Sequence, residues 1–83
     1  MNVRVYVTPK KGILDPQGAA VGRSLPNLGF TGVSGVRIGK IIDLTISGDD
    51  LTADAAHAQV DDMCRRLLAN PIIEDYTFAI SED

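Results

Sequence analysis

The chain has 83 residues, which suits one domain, and we predict a single domain over residues 1–83. Eleven acidic residues outweigh eight basic ones, and the formal net charge of −3 disfavours general nucleic-acid binding. Cys64 is the only cysteine, which excludes an internal disulfide, and the lack of a ~20-residue apolar run predicts a cytoplasmic chain with no membrane partner.

The first two predicted elements are a strand and a helix. Residues 2–8 alternate apolar with polar side chains, as a strand with one apolar face does, and Pro9 ends the pattern. Asp15 suits a helix N-cap, because its carboxylate can accept hydrogen bonds from the free N–H groups of the first turn. Pro16 suits the first helical position, because proline has no N–H that would need an acceptor there. Gly29 suits the helix end. The apolar stripe of this helix comprises Leu14, Val21, Leu25 and Leu28.

A glycine-rich segment follows, in which we predict a second strand over residues 33–38. Gly35 would form a bulge in that strand. Gly39 and Lys40 fit a two-residue hairpin turn of type II′, which takes glycine at its first central position. Residues 41–46 alternate again and predict a third strand.

The last two predicted elements are a helix and a strand. Thr52 is a suitable N-cap, Asn70 and Pro71 stop the helix, and residues 75–80 alternate as a final strand. The resulting order, β-α-β-β-α-β, is ferredoxin-like. We therefore predict an α+β, two-layer sandwich in which two helices cover one face of a four-stranded antiparallel sheet. The stripe of the second helix comprises Ala56, Val60, Met63, Cys64, Leu67 and Leu68.

Residue types that carry chemistry do not form a catalytic set here. His57 stands alone at the start of the second helix and has no residue to orient it as a base. Cys64 lies on the apolar stripe, which predicts a buried structural thiol. Neither residue has further ligands at metal-binding spacing, and the glycines lack the motif of a phosphate loop. We predict no catalytic, cofactor-binding or metal-binding residue in this chain.

Two groups of surface residues are candidates for contacts with other chains. Basic and polar residues on loops and at the first helix start are candidates for partner docking, because charged rims steer association. They are Lys10, Lys11, Asp15, Gln17, Arg37 and Lys40. The half-apolar second face of the sheet and the start of the last strand are candidates for self-association, because so small a core is marginal. They are Tyr6, Ile41, Ile73, Glu74 and Tyr76.

Three sequence blocks together resemble one known family. Residues 11–18 read KGILDPQG, residues 36–40 read VRIGK, and residues 63–76 read MCRRLLANPIIEDY. In this order and spacing they are similar to the PurS family, the small subunits of phosphoribosylformylglycinamidine (FGAM) synthase. The similarity covers essentially the whole chain. Pro26 and the Asp49–Asp50 turn look peculiar to this chain.

The resemblance implies a role in purine biosynthesis, at the step that converts formylglycinamide ribonucleotide to its amidine. It implies a non-catalytic adaptor that assembles the large ATP-dependent synthetase subunit (PurL) with the glutaminase subunit (PurQ), so that ammonia passes between them. It also implies a homodimer or tetramer. The complex would use ATP and Mg²⁺, with no cofactor in this subunit.

Two other functions are compatible with the element order. Regulatory domains of ACT-like order sense small molecules between paired subunits, and the glycine-rich segment from Gly29 to Gly39 could supply a ligand loop. Acylphosphatase-like hydrolases need an arginine in the loop after the first strand, where this chain has Lys10 and Lys11. The adaptor is the leading hypothesis, and the sensor is the alternative.

Overall fold

The structure, a computed structural model, describes residues 1–82, which form three strands and two helices. Strand β1 spans Asn2–Pro9, helix α1 Pro16–Asn27, strand β2 Lys40–Thr45, helix α2 Ala53–Met63 and strand β3 Glu74–Ser81. A π-helical turn, Cys64–Leu68, extends α2. Residues 28–39, which join α1 to β2, are called the arm below.

The three strands form one antiparallel sheet in the order β2-β1-β3. Val5 of the central strand lies opposite Ile42 of β2 and Phe78 of β3. The predicted alternation in β1 is confirmed, because Val3, Val5 and Val7 are buried while the residues between them are not. One face of β1 therefore supplies the centre of the core, and its other face stays open.

Helix α2 covers the apolar face of the sheet. Thr52 caps it as predicted, with its hydroxyl accepting a hydrogen bond from the Ala55 N–H at 3.1 Å. Ala56, Val60 and Cys64 recur at helical spacing and are fully buried, and Val60 and Cys64 belong to one core cluster with the valines of β1. Each large apolar side chain that is fully buried contributes roughly 1.5–3 kcal/mol to the stability of the fold. The contact between α2 and the sheet therefore forms most of the core.

The predicted four-stranded sheet is wrong, because residues 33–38 form no strand. Gly35 adopts a left-handed φ of 68°, which interrupts an extended run. The Ile38 N–H, which a strand would offer to its neighbour, donates to the Asp15 carboxylate at 2.8 Å. The predicted hairpin turn is also wrong, because Lys40 already pairs with Val7 of β1.

The predicted packing of both helices on the sheet is wrong for α1. Of the described hydrophobic side chains, those in or against the core come from the strands, α2 and the segments next to them, and none comes from α1. The α1 stripe is open instead, with Leu28 71% exposed. The molecule is correspondingly elongated, with extents of 54 × 27 × 14 Å.

The ends of α1 are nevertheless formed as predicted. Asp15 is its N-cap and Pro16 its first residue. At the other end the Phe30 N–H donates to the Leu25 carbonyl and the Gly29 N–H to the Pro26 carbonyl, both at 3.0 Å. Gly29 has a φ of 94°, so these bonds form a Schellman motif.

In the part of the chain that the structure describes, no helix is both long enough and apolar enough to cross a membrane.

Candidate partner-docking site

A cleft opens between α1, the arm and the loop that follows β1, and we call it the α1 cleft. Four of the six residues predicted to dock a partner line it, namely Lys10, Lys11, Asp15 and Arg37. Its apolar part and its floor come from Ile13, Leu14, Gly18, Ala19, Gly22 and Val36. The cleft thus combines charged side chains with a partly apolar surface.

Asp15 fixes the shape of this cleft by joining two elements. One carboxylate oxygen accepts from the Gly18 N–H at 3.0 Å and the other from the Ile38 N–H at 2.8 Å. These bonds, first from Gly18 and then from Ile38, hold the pKa of the Asp15 carboxyl below its ordinary value. Asp15 is therefore a structural residue that ties the arm to the start of α1.

Glycine at position 18 allows the arm to lie this close. A Cβ there would stand 2.5 Å from the Val36 carbonyl oxygen and would also collide with the Asp15 carboxylate. At Gly22, one turn later, a Cβ would stand 3.7 Å from Val36 Cγ2, which is an ordinary contact. The two glycines thus differ in function, and only Gly18 is required by the packing.

The cations of the cleft differ in how far they are already paired. Lys10 Nζ lies 2.7 Å from the Asp75 carboxylate. Arg37 uses Nη1 to donate to the Pro9 carbonyl at 2.9 Å, which leaves its other N–H groups for a ligand. Lys11 is exposed, and within residues 1–82 neither Lys11 nor Arg37 lies in an ion pair.

The other two predicted docking residues lie outside the cleft lining. Gln17 is exposed in the first turn of α1. Lys40 lines a separate shallow depression beside Tyr6 and Ile41. The sequence interpretation therefore grouped residues that the fold divides between two surfaces.

The residues predicted for self-association are also divided. Tyr6 and Ile41 lie opposite each other on the open sheet face, and both are exposed. Ile73 is exposed just before β3, whereas Glu74 accepts from the Asn70 N–H at 2.7 Å. These positions leave the prediction untested.

Tyr76, the fifth of those residues, has a partner within the chain. Its hydroxyl donates to the Asp61 carboxylate at 2.7 Å, which links β3 to α2. This hydrogen bond is the main reason why the pKa of Tyr76 is raised, because ionisation would remove the proton that the hydroxyl donates to Asp61.

Sequence reasoning missed that four large apolar side chains of α1 and the arm are exposed, and we call this set of residues the arm face. Phe30 is 58% exposed there, far from the core that its residue type suggests. The remaining members are Val21, Leu28 and Val33. The signal was present, since an aromatic residue in a glycine-rich segment has little local structure to pack against.

His57 and Cys64 have structural surroundings. The His57 ring is exposed and lies 4.8 Å from the Phe78 ring. Cys64 is buried as predicted, and desolvation, more than the nearby Asp61 charge, raises the pKa of its thiol. Among residues 1–82, no group of three or more potential metal ligands comes together.

Comparison with known proteins gives one consistent result. The family model "PurS: Phosphoribosylformylglycinamidine (FGAM) synthase" matches residues 2–82. A PurS subunit of FGAM synthase from Synechocystis is 50% identical over 78 residues, covering 94% of this chain and 76% of its own. Bacillus subtilis PurS has a solved structure with TM-score 0.80 and 44% identity, covering 98% of both chains. A structure of PurLQS from Thermotoga maritima includes a chain with TM-score 0.79 and 27% identity, covering 94% and 93%.

Proposed function

The chain belongs to the PurS family of FGAM synthase, and we propose that it is the small, non-catalytic subunit of that enzyme in purine biosynthesis. The observation that carries the proposal is the family match over residues 2–82. In this role the chain joins the large ATP-dependent synthetase subunit to the glutaminase. The Thermotoga maritima relative was solved as PurLQS, which supports PurL and PurQ as the partners.

The surface of the chain supports an adaptor. The thinnest dimension is only 14 Å, so a large part of the chain is available for contact. The α1 cleft and the arm face share no residue, since Val21, Leu28, Phe30 and Val33 do not line the cleft. An adaptor needs such separate surfaces, whereas an enzyme needs one pocket with convergent reactive groups.

The proposed role also determines which subunit of the complex binds the cofactors. ATP and Mg²⁺ belong to the large subunit, and this chain holds no cofactor. Docking of the two enzymes on a shared subunit keeps ammonia from escaping to solvent, where it would be protonated. The complex works in the cytoplasm, with no nucleic acid or membrane as partner.

The chain also acts as a homodimer or tetramer in this proposal. Exposed apolar side chains on a small domain can mark interaction surfaces, and Leu28, Phe30 and Val33 of the arm face are each exposed. A second copy would cover these side chains and complete a core that α1 lacks by itself. Self-association therefore stabilises α1 and the arm in the complex.

Reconstitution tests the proposal. Purified PurL and PurQ from the same organism are mixed with and without this chain, and amidine formation is measured with glutamine or with ammonium chloride. We expect glutamine-dependent synthesis to require the chain, while ammonia-dependent synthesis by the large subunit requires it far less. Equal glutamine-dependent rates in its absence would contradict the proposal.

The ACT-like sensor is not favoured. It was based on the β-α-β-β-α-β order, of which the structure lacks one strand. The family model and the relatives described above are of PurS proteins.

A further inference from the structure

We propose that the α1 cleft binds an acidic segment of a partner subunit, in which carboxylates meet Lys11 and Arg37 and a neighbouring apolar side chain covers Leu14. The inference rests on the proposed function, which supplies the partner. It adds the surface of contact and the chemistry of the segment that fits it.

Charge is the first argument. The chain as a whole carries −3, yet three cations and only one carboxylate line this cleft. That carboxylate, Asp15, already accepts two backbone hydrogen bonds, so its charge is partly compensated inside the chain. Lys11 and Arg37 therefore give the cleft a positive character that attracts an anionic group.

The state of Arg37 is the second argument. Its bond to the Pro9 carbonyl fixes the guanidinium at the cleft, 2.9 Å from that oxygen. An arginine held in one orientation loses less side-chain entropy when it binds a carboxylate. The remaining N–H groups can then form charge-assisted hydrogen bonds with the incoming segment.

Leu14 is the third argument, and it distinguishes a protein segment from a free anion. It is 85% exposed in the same cleft as Lys11 and Arg37. A phosphate ion or a nucleotide phosphate offers nothing to cover a leucine, whereas a peptide offers both carboxylate and apolar groups. Protein interfaces commonly surround such an apolar anchor with polar and charged contacts.

Titration of this chain into PurL and PurQ tests the inference. The readout is the concentration of chain that gives half-maximal glutamine-dependent synthesis. We expect Lys11→Glu and Arg37→Glu each to raise it by roughly tenfold or more, since repulsion replaces attraction. Leu14→Ser should also raise this half-maximal concentration, but it should not change how that concentration depends on salt. Lys11 forms no ion pair within residues 1–82, so Lys11→Glu tests the surface without disturbing the fold.

The matched control is Arg66→Glu, an equal change in net charge at an exposed residue of the turn that extends α2, outside the cleft and both groups of candidate residues. It should titrate like the wild type. If the cleft variants also titrate like the wild type, or if Arg66→Glu is equally impaired, the cleft is not the docking site. If wild-type chain supports no synthesis at all, the proposed function itself fails and this inference with it.

Direct titration of the isolated chain with ADP and with inorganic phosphate separates a protein segment from a phosphate ligand. We expect no saturable binding by calorimetry up to low-millimolar concentrations. Saturable binding that Lys11→Glu abolishes would identify a phosphate site and overturn the proposal.

Discussion

Gly18 and Gly22 lie one turn apart on α1 and face the same arm residue, but they leave different amounts of room. We expect Gly18→Ala to destabilise the chain by roughly 1–3 kcal/mol, because the new methyl group overlaps the Val36 carbonyl. Gly22→Ala, the matched control, should stabilise it by up to ~1 kcal/mol, because alanine favours helix. Thermal unfolding followed by circular dichroism measures both. Equal stability of the two variants would contradict the packing argument.

Asp15 gives α1 and the arm a shared dependence on pH. Its pKa is lowered in the folded state, so its contribution to stability is present above its unfolded pKa and is lost as pH falls through the folded value. We expect the free energy of unfolding to fall below about pH 4, and less so in Asp15→Asn. Urea denaturation at a series of pH values measures this difference.

The control for that experiment is Asp43→Asn. Asp43 also has a lowered pKa, but its cause is the ion pair with Arg4 on the open sheet face, at 2.8 Å. A pH titration of the carboxyl groups followed by NMR measures the pKa of Asp15 and that of Asp43 directly. An Asp15 carboxyl that titrates at its ordinary pKa would show that the two backbone bonds do not persist in solution.

Helix ends and strand packing differed in how well the sequence predicted them. The caps Asp15 and Thr52 were predicted correctly because each acts on amides within three residues of itself. The strand over residues 33–38 was predicted wrongly because the conformation of this segment depends on hydrogen bonds with distant groups. Asp15 captures the Ile38 N–H from 23 residues away, and Arg37 reaches back to Pro9. Periodicity cannot report such contacts.

In the candidate site, too, residue type is enough to indicate some features, whereas others depend on the fold. Lys10, Lys11 and Arg37 could be selected as exposed cations from residue type alone. That Lys40 belongs to another depression depends on strand register, which places it opposite Val7. The alternation correctly placed Tyr76 in a strand, but no pattern of residue types indicated Asp61 as its hydrogen-bond partner.

The bond between Tyr76 and Asp61 fastens β3 to α2. We expect Tyr76→Phe to lower the free energy of unfolding by about 1 kcal/mol, since one hydrogen bond to a charged acceptor is lost. A double-mutant cycle with Asp61→Ala should give a coupling energy of similar size, measured by urea denaturation. Additive effects would mean that the two groups do not interact.

The whole molecule is too extended for its length. Its Cα radius of gyration is 16.5 Å, whereas a compact chain of this size has about 12 Å. The excess comes from α1 and the arm, which lie away from the core of β1 and α2. A helix of 12 residues is marginal in water without tertiary packing. The shape is therefore that of a subunit whose α1 needs a second surface.

Self-association through the arm face, as proposed above, would supply that surface, and it can be measured directly. We expect light scattering after size exclusion to give two or four times the 8.9 kDa chain mass. Phe30→Asp should shift the mass toward the monomer and reduce helicity, because a charge replaces a large apolar contact. Leu67→Asp, at a residue 83% exposed but outside the arm face, should keep the wild-type mass. A monomeric wild type, or a Phe30→Asp variant of unchanged mass, would require that α1 is stable without a second copy on this face.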